Sequence, residues 1–170
     1  MTTTTLNNVN IGAVGLLVEA IQAEPTEADT TWRATVRWDG GFHTTTTIRD
    51  FPPTATDEPE GLGGADTAPN PVEQIIGALG ACLAIGYAAN ATAAGIKIDD
   101  LRIDIEGELN LRTFLGLESG NAGYETLQAT VHIDSDANDA AIAELHDKVV
   151  ATSPVGHTLS RAVPLTVKLA

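Results

Sequence analysis

The stretch that decides the fold is APNPVEQIIGALGACLAIGYAANATAAG, residues 68–95, which contains the only cysteine of the chain, Cys82. It predicts a helix, because Asn70 suits the N-cap, Pro71 fits the first turn and Gly95 suits the end. Beyond its first turn this helix has no charged side chain. A helix that is apolar on every side is expected to be buried on every side, so we place it at the centre of the fold or of a dimer.

Small residues would let another element approach this helix closely: Gly77, Gly80, Ala81 and Ala84. The length also fits a membrane span, since about 20 apolar residues cross a bilayer. However, Ala and Gly gain little on insertion, and no cluster of Lys or Arg flanks the helix. We therefore predict a core helix and no membrane partner.

Composition limits the other classes of protein. The chain has 170 residues, 43% of them apolar, and a formal net charge of −14. This size suits one domain over 1–170, and the negative charge disfavours binding to nucleic acid. The first residues lack the basic and apolar regions of a secretory signal, and a single cysteine forms no internal disulfide. We expect a cytoplasmic protein.

Hydrophobic periodicity predicts the elements before the central helix. A helix over 9–23 lies in an N-terminal helical extension, 1–30. Alternating side chains from Trp32 onward, followed by a Gly-Gly turn and a Thr-rich run, predict a β-hairpin. Five prolines then predict a long loop over 52–71.

The same periodicity predicts strands after the central helix, a second core helix over 135–151, a short helix from Ser153 and a closing strand over 163–170. The two intervening strands are predicted at 101–112 and 127–134. Helices and strands in this order are typical of an α+β fold.

Two motifs, PNPVEQIIGALGACL at 69–83 and SPVGHTLSRAVPL at 153–165, resemble in this order the two signatures of the OsmC/Ohr family. This family comprises osmotically induced proteins and organic hydroperoxide resistance proteins. The resemblance covers the chain from the hairpin to the end. It implies an OsmC-like fold in which two long central helices are wrapped by antiparallel β-sheets from both subunits of an intertwined homodimer.

The resemblance also implies site residues. In the family's peroxidases a cysteine in the first central helix attacks the peroxide, and a second one, just before the Pro-Val of the later motif, forms a disulfide with it. Cys82 matches the first position, whereas Ser153 occupies the second. The glutamate and arginine of the hydroperoxide-resistance branch are replaced by Val72 and Phe42, and Glu73 matches the broader OsmC-like pattern.

Each candidate residue also has a structural role open to it. Glu73 lies where a capping-box carboxylate reaches back, and nine residues from Cys82 on a straight helix it points away from the thiol. If the later motif is helical, Ser153, His157 and Arg161 share one face and form a polar wall facing Cys82. Otherwise His157 and Arg161 are solvent-facing side chains after an ordinary cap.

Other chemistry finds little support in the sequence. No G-x-S-x-G motif surrounds Ser153, which disfavours a serine hydrolase. The histidines show no metal-binding spacing, so we predict neither a metal nor a cofactor. The four histidines of the chain are His43, His132, His146 and His157.

We therefore expect a thiol-dependent peroxidase that reduces organic hydroperoxides through Cys82 with an external thiol as reductant. The alternative is a family member that has lost catalysis and binds a small apolar molecule in the dimer cleft. Ser153 in the place of a second cysteine leaves both hypotheses open.

Overall fold

The computed structural model describes residues 5–169 and mixes helices with strands, which confirms the α+β class. The helices are α1 (Ile11–Ala23), α2 (Pro71–Ala94), α3 (Leu111–Phe114), α4 (Asp139–Thr152) and α5 (Pro154–Leu159). The strands are β1 (Thr35–Gly40), β2 (His43–Thr47), β3 (Thr54–Thr56), β4 (Asp100–Leu109) and β5 (Tyr124–Asp134).

Backbone contacts divide the chain into two compact units. One unit spans 12–75 and holds α1 and a three-stranded antiparallel sheet with the order β1-β2-β3. The other unit combines the described residues before 12 with those from 76 onward, and it holds the antiparallel pair β4-β5 and helices α3 to α5. Helix α2 begins in the first unit and continues into the second.

The predicted ends of α2 are confirmed. The Asn70 side chain accepts a hydrogen bond from the Glu73 N–H at 2.9 Å, and the Asn70 N–H donates to Glu73 Oε2 at 2.8 Å. This reciprocal pair is a capping box. At the other end Gly95 has φ +73°, a left-handed conformation that glycine adopts without strain.

The core of the larger unit is built on one stripe of α2. The stripe consists of residues four apart in sequence, which face the same side of the helix. It packs on α4 and on one face of the β4-β5 pair. The buried apolar residues are Leu79, Leu83, Tyr87, Ala91, Leu145 and Val149. Burial stabilises the fold by about 1.5–3 kcal/mol for each large apolar side chain.

Close approach between α2 and α4 depends on a glycine. A Cβ added at Gly86 would lie 3.1 Å from Val149 Cγ1, closer than ordinary side-chain contacts. Among the small residues expected to make contacts, Gly80 faces Ile105 of β4, where an added Cβ would lie 3.3 Å from the side chain. Nothing lies within 4 Å of such an atom at Gly77, so this small surface is open in the single chain.

Within the single chain α2 is not buried on every side, so it is not enclosed at the centre of one chain, and its burial in a dimer stays a prediction. The face away from the core is open to solvent, with Ile85 70% exposed and Ile75 41% exposed. One two-stranded sheet and one partner helix cover one stripe of a helix but not its whole circumference. By length and composition α2 is apolar enough to cross a membrane, a test that core helices of soluble proteins also pass.

The N-terminal segment is fastened to the end of α2 by Asn7. Its Nδ2 donates to Thr92 Oγ1 at 3.1 Å and to the Ile96 carbonyl at 2.9 Å, and its Oδ1 accepts from the Ile98 N–H at 2.9 Å. Asn7 has φ +52°, which asparagine adopts more readily than most residues. The Asn7 amide thereby pairs with one carbonyl and one N–H of the backbone that follows α2.

The predicted strands differ from the structure in their ends and in one case in their existence, and β5 begins at Tyr124 rather than at 127. The strand predicted to reach residue 112 ends at Leu109, because the Asn110 side chain caps α3 by accepting the Arg112 N–H at 3.0 Å. The closing strand over 163–170 is wrong for the residues described up to 169, which pair with no other strand. Strand propensity gives a strand only where a neighbour completes the hydrogen bonds.

The segment 52–71 was predicted to be a loop, but it contains the edge strand β3 and is organised by the buried side chain of Asp57. This carboxylate accepts the Thr67 hydroxyl at 2.8 Å, and it also accepts backbone N–H groups of Glu58, Ala65 and Thr67 at 2.8, 3.3 and 3.2 Å. The Thr67 hydroxyl, followed by the Glu58 N–H, lowers the pKa of Asp57 from its ordinary value of 3.8.

We predict that Asp57→Asn destabilises the protein at neutral pH more than Asp66→Asn does, because an amide NH2 cannot accept these hydrogen bonds. Because the pKa of Asp57 is lowered in the folded state, its carboxylate contributes to the free energy of unfolding above pH 3.8. This contribution is lost as the pH falls through the folded-state pKa. The difference between wild type and Asp57→Asn should therefore shrink below that pH. Urea unfolding over a pH series measures it, and a difference that does not depend on pH would contradict the account.

Candidate functional site

The structure brings Cys82 and Ser153 together, although 71 residues separate them in sequence. The Cys82 sulfur lies 3.4 Å from the Ser153 hydroxyl oxygen. Cys82 lies beside Leu83 of the core stripe and is partly exposed, whereas Ser153 is 5% exposed. A thiol that is partly accessible and touches a buried polar group is a candidate reactive centre.

Ser153 holds this position because it joins two helices. It follows the last residue of α4 and is the N-cap of α5, where its Oγ accepts the Gly156 N–H at 3.1 Å. The hydroxyl proton is therefore free to point at the sulfur of Cys82. An O–H that donates to a thiolate stabilises the reactive form of the thiol.

Gly156 gives Ser153 the space it needs. A Cβ at this position would lie 3.0 Å from Ser153 Oγ and 3.9 Å from Leu79 Cδ1. A side chain here would press on the hydroxyl that contacts Cys82 and on the core stripe. The start of α5 is thus fitted closely against α2.

His157 and Arg161 follow Ser153 at intervals of four residues and contact each other. The Arg161 guanidinium is hydrogen-bonded to His157 Nδ1, and His157 Nε2 lies 2.9 Å from the Ala151 carbonyl. A guanidinium only donates, so Nδ1 is the acceptor and Nε2 carries the proton. The two side chains contact each other, and Arg161 lies beyond the end of α5 and is exposed. The polar wall facing Cys82 stays a prediction.

Glu73 has the structural role that was open to it. Its carboxylate closes the capping box with Asn70, so it stabilises the start of α2. The catalytic role that the resemblance implies for Glu73 stays a prediction.

The sequence reasoning missed a polar pair between buried Tyr87 and exposed His146. Tyr87 is 1% exposed and its hydroxyl is hydrogen-bonded to His146 Nδ1. Burial raises the pKa of Tyr87 above its ordinary value, so the phenol is neutral. The two residues line a cavity of about 390 Å³ between α4 and β5. A tyrosine in an otherwise apolar helix was the available signal, since a buried phenol needs a partner.

We predict that Ser153→Cys forms a disulfide with Cys82 on mild oxidation. The atoms at these positions are 3.4 Å apart, and a small rotation brings two sulfurs to the bonding distance of about 2.05 Å. Peptide mapping without reduction measures the bridge. Ser160→Cys, at the other end of α5, is the matched control and should keep two free thiols; equal crosslinking in both variants would contradict the geometry.

Comparisons with known proteins agree with the fold and the family resemblance. A family model described as OsmC-like protein matches residues 63–168. No curated protein matches the chain. An OsmC-like protein of Mycoplasma pneumoniae has a similar structure, with a TM-score of 0.68 and 20% identity over 78% of this chain and 89% of its own.

Two further structures belong to proteins named for organic hydroperoxide resistance. The Legionella pneumophila protein has a TM-score of 0.56 and 20% identity, and the alignment covers 78% of this chain and 90% of its own. The Vibrio cholerae protein, with captopril in one of its active sites, has a TM-score of 0.57 and 15% identity over 78% and 87%. These TM-scores show a shared fold, and the family match covers most of the chain. The protein therefore belongs to the OsmC-like family.

Proposed function

We propose that this protein is a thiol-dependent peroxidase that reduces organic hydroperoxides with Cys82 as its nucleophile. The observation that carries the proposal is the 3.4 Å contact between the Cys82 sulfur and the hydroxyl of buried Ser153. This contact gives Cys82, the single cysteine of the chain, a fixed hydrogen-bonding partner while the residue stays partly exposed. An inert core cysteine would need neither feature.

In the first half of the reaction the Cys82 thiolate attacks an oxygen of the hydroperoxide. A sulfur–oxygen bond forms as the oxygen–oxygen bond breaks, which oxidises Cys82 to a sulfenic acid and reduces the hydroperoxide to an alcohol. The leaving alkoxide takes a proton from solvent. The Ser153 hydroxyl stabilises the thiolate before the attack and does not itself change oxidation state.

In the second half an external thiol attacks the sulfenic sulfur of Cys82. Water leaves and a mixed disulfide forms. A second thiol then attacks this mixed disulfide, releasing a small disulfide and the Cys82 thiolate. Ser153 has no sulfur, so the chain cannot complete this half by an internal disulfide.

The relatives support the proposal in two ways. Two of the similar structures are of proteins named for organic hydroperoxide resistance. The Vibrio cholerae protein holds captopril, a thiol compound, in an active site, which supports a cleft open to small thiols.

The alternative is a protein that binds a small apolar molecule without turnover, and the observation that favours it is the serine at position 153.

We predict that the protein consumes cumene hydroperoxide when dithiothreitol is supplied and that Cys82→Ser abolishes consumption. Without thiol, Cys82 should form a sulfenic acid that dimedone traps, with no disulfide inside the chain. Ser153→Ala should slow oxidation about tenfold, the effect expected for losing a hydrogen bond to a charged group. A Cys82 that ignores hydroperoxide while the folded protein binds apolar probes would instead establish the binding alternative.

We also propose that the protein is a homodimer in which α2 helices lie centrally and sheets of both subunits wrap them. The support is apolar surface that the single chain leaves uncovered. Ile85 on the outer face of α2 is 70% exposed. The C-terminal segment is extended, and its alternate apolar residues Val163, Leu165, Val167 and Leu169 are 59–102% exposed. Large apolar side chains left this exposed support an interface.

We predict a stable dimer in sedimentation at micromolar concentration. Ile85→Glu should weaken the dimer by tenfold or more, because a charge replaces an apolar contact of about 1.5–3 kcal/mol. Lys148→Glu, an exposed polar position on α4, introduces the same charge and should leave association unchanged. A folded monomer at these concentrations would contradict the dimer.

A further inference from the structure

The cavity of about 390 Å³ between α4 and β5 has no part in the proposed chemistry, since neither Cys82 nor Ser153 lines it. Its walls are mostly apolar side chains, of which Val131 and Ile133 also pack against the buried core. The apolar residues that line it besides Tyr87 are Ala129, Val131, Ile133, Ile142 and Ala143. A mostly apolar cavity with a few polar groups is the usual form of a small-molecule site.

The Tyr87–His146 pair forms one wall of this cavity and carries no charge there. Tyr87 is buried, and its hydroxyl is hydrogen-bonded to His146 Nδ1. The O–H of a buried phenol needs an acceptor, so Nδ1 accepts this proton and Nε2 carries the proton of the ring. An imidazole with one donor and one acceptor nitrogen is neutral. The pair therefore does not repel a cation that enters the cavity.

Two carboxylates of α4, Asp139 and Asp147, also line the cavity, and no lysine or arginine among the described residues does so. Both aspartates are exposed, and neither forms an ion pair within residues 5–169. Their positions on the helix are about 12 Å apart along its axis, at 1.5 Å per residue. The apolar side chains of Ile142 and Ala143 lie between them in sequence and line the same cavity. A ligand that meets both carboxylates needs two positive charges joined by an apolar chain.

We propose that this cavity binds a linear aliphatic diamine, with one ammonium group at Asp139 and the other at Asp147. Each ammonium donates to a carboxylate oxygen, and the methylene chain covers apolar surface between the two charges. An exposed ion pair contributes little by itself, so the match between the length of the diamine and the spacing of the aspartates selects the ligand. The net charge of −14 attracts any cation to the protein, and only length and position distinguish the site from this general attraction.

The test is isothermal titration calorimetry of the full-length protein at low ionic strength with three probes. The α,ω-diamine of octane has an extended length close to the spacing of the two aspartates. The α,ω-diamine of butane is too short to reach both, and octylamine has the same chain as the first probe but a single charge. We expect the octane diamine to bind about threefold more tightly than octylamine, the effect of one exposed ion pair, and more tightly than the butane diamine.

Variants of α4 separate this site from general electrostatics. Asp139→Asn and Asp147→Asn should each weaken binding of the octane diamine about threefold and remove its advantage over octylamine. Glu144→Gln is the matched control, because Glu144 is an exposed carboxylate of the same helix that does not line this cavity. This control variant should keep the advantage. Ala143→Phe fills the cavity from an exposed position and should weaken binding of all three probes, with the helix content checked by circular dichroism.

Three outcomes would overturn the proposal. The first is no binding of the octane diamine, which is also the result expected if a second subunit covers the cavity. The second is equal affinity for the octane diamine and octylamine, which would mean that only one charge is recognised. The third is an equal loss in Glu144→Gln and Asp147→Asn, which would show attraction to the negative charge of the whole protein rather than to this cavity.

Discussion

The structure depends on the packing of one stripe of α2 against α4 and the β4-β5 pair. The stripe is Leu79, Leu83, Tyr87 and Ala91, and Gly86 lets α4 approach it closely through Val149. This packing fixes the rotation of α2 about its own axis. Cys82 directly precedes a buried leucine, so it lies at the edge of the stripe, where α5 begins. The position of the thiol thus follows from core packing, not from any feature of the cysteine itself.

Ser153 connects the packed helices to the candidate site at Cys82. It follows the last residue of α4, caps α5 and contacts Cys82, so one buried hydroxyl joins the second core helix, the following helix and the thiol. A cysteine here would be a weaker cap than serine. In the proposed peroxidase, serine keeps the cap, adds a donor for the thiolate and leaves the resolving step to an external thiol.

Polar side chains hold segments in place. Asn7 ties the N-terminal segment to the end of α2, buried Asp57 accepts hydrogen bonds from the loop before α2, and buried Tyr87 is hydrogen-bonded to exposed His146. Every buried side-chain nitrogen or oxygen within the described residues has a partner. Since an unpaired buried group costs about 1–3 kcal/mol, these contacts determine which segments can lie beside α2.

The sequence by itself determined the α+β class, both ends of α2, the hairpin, α4 and the family, because capping residues, glycines and hydrophobic periodicity act over a few neighbouring residues. It also selected Cys82 and Ser153 through motifs. It did not determine that their side chains meet, that His157 takes the tautomer that accepts from Arg161, or that Tyr87 and His146 pair. These contacts join residues brought together by the packing of α2 on α4 or by the turn after α4. The expected burial of α2 and the closing strand are not seen in the single chain, because no element among the described residues covers the outer face of α2 or pairs with residues 163–169. Local patterns determine what each segment can form, whereas tertiary packing decides which side chains meet and which surfaces stay open.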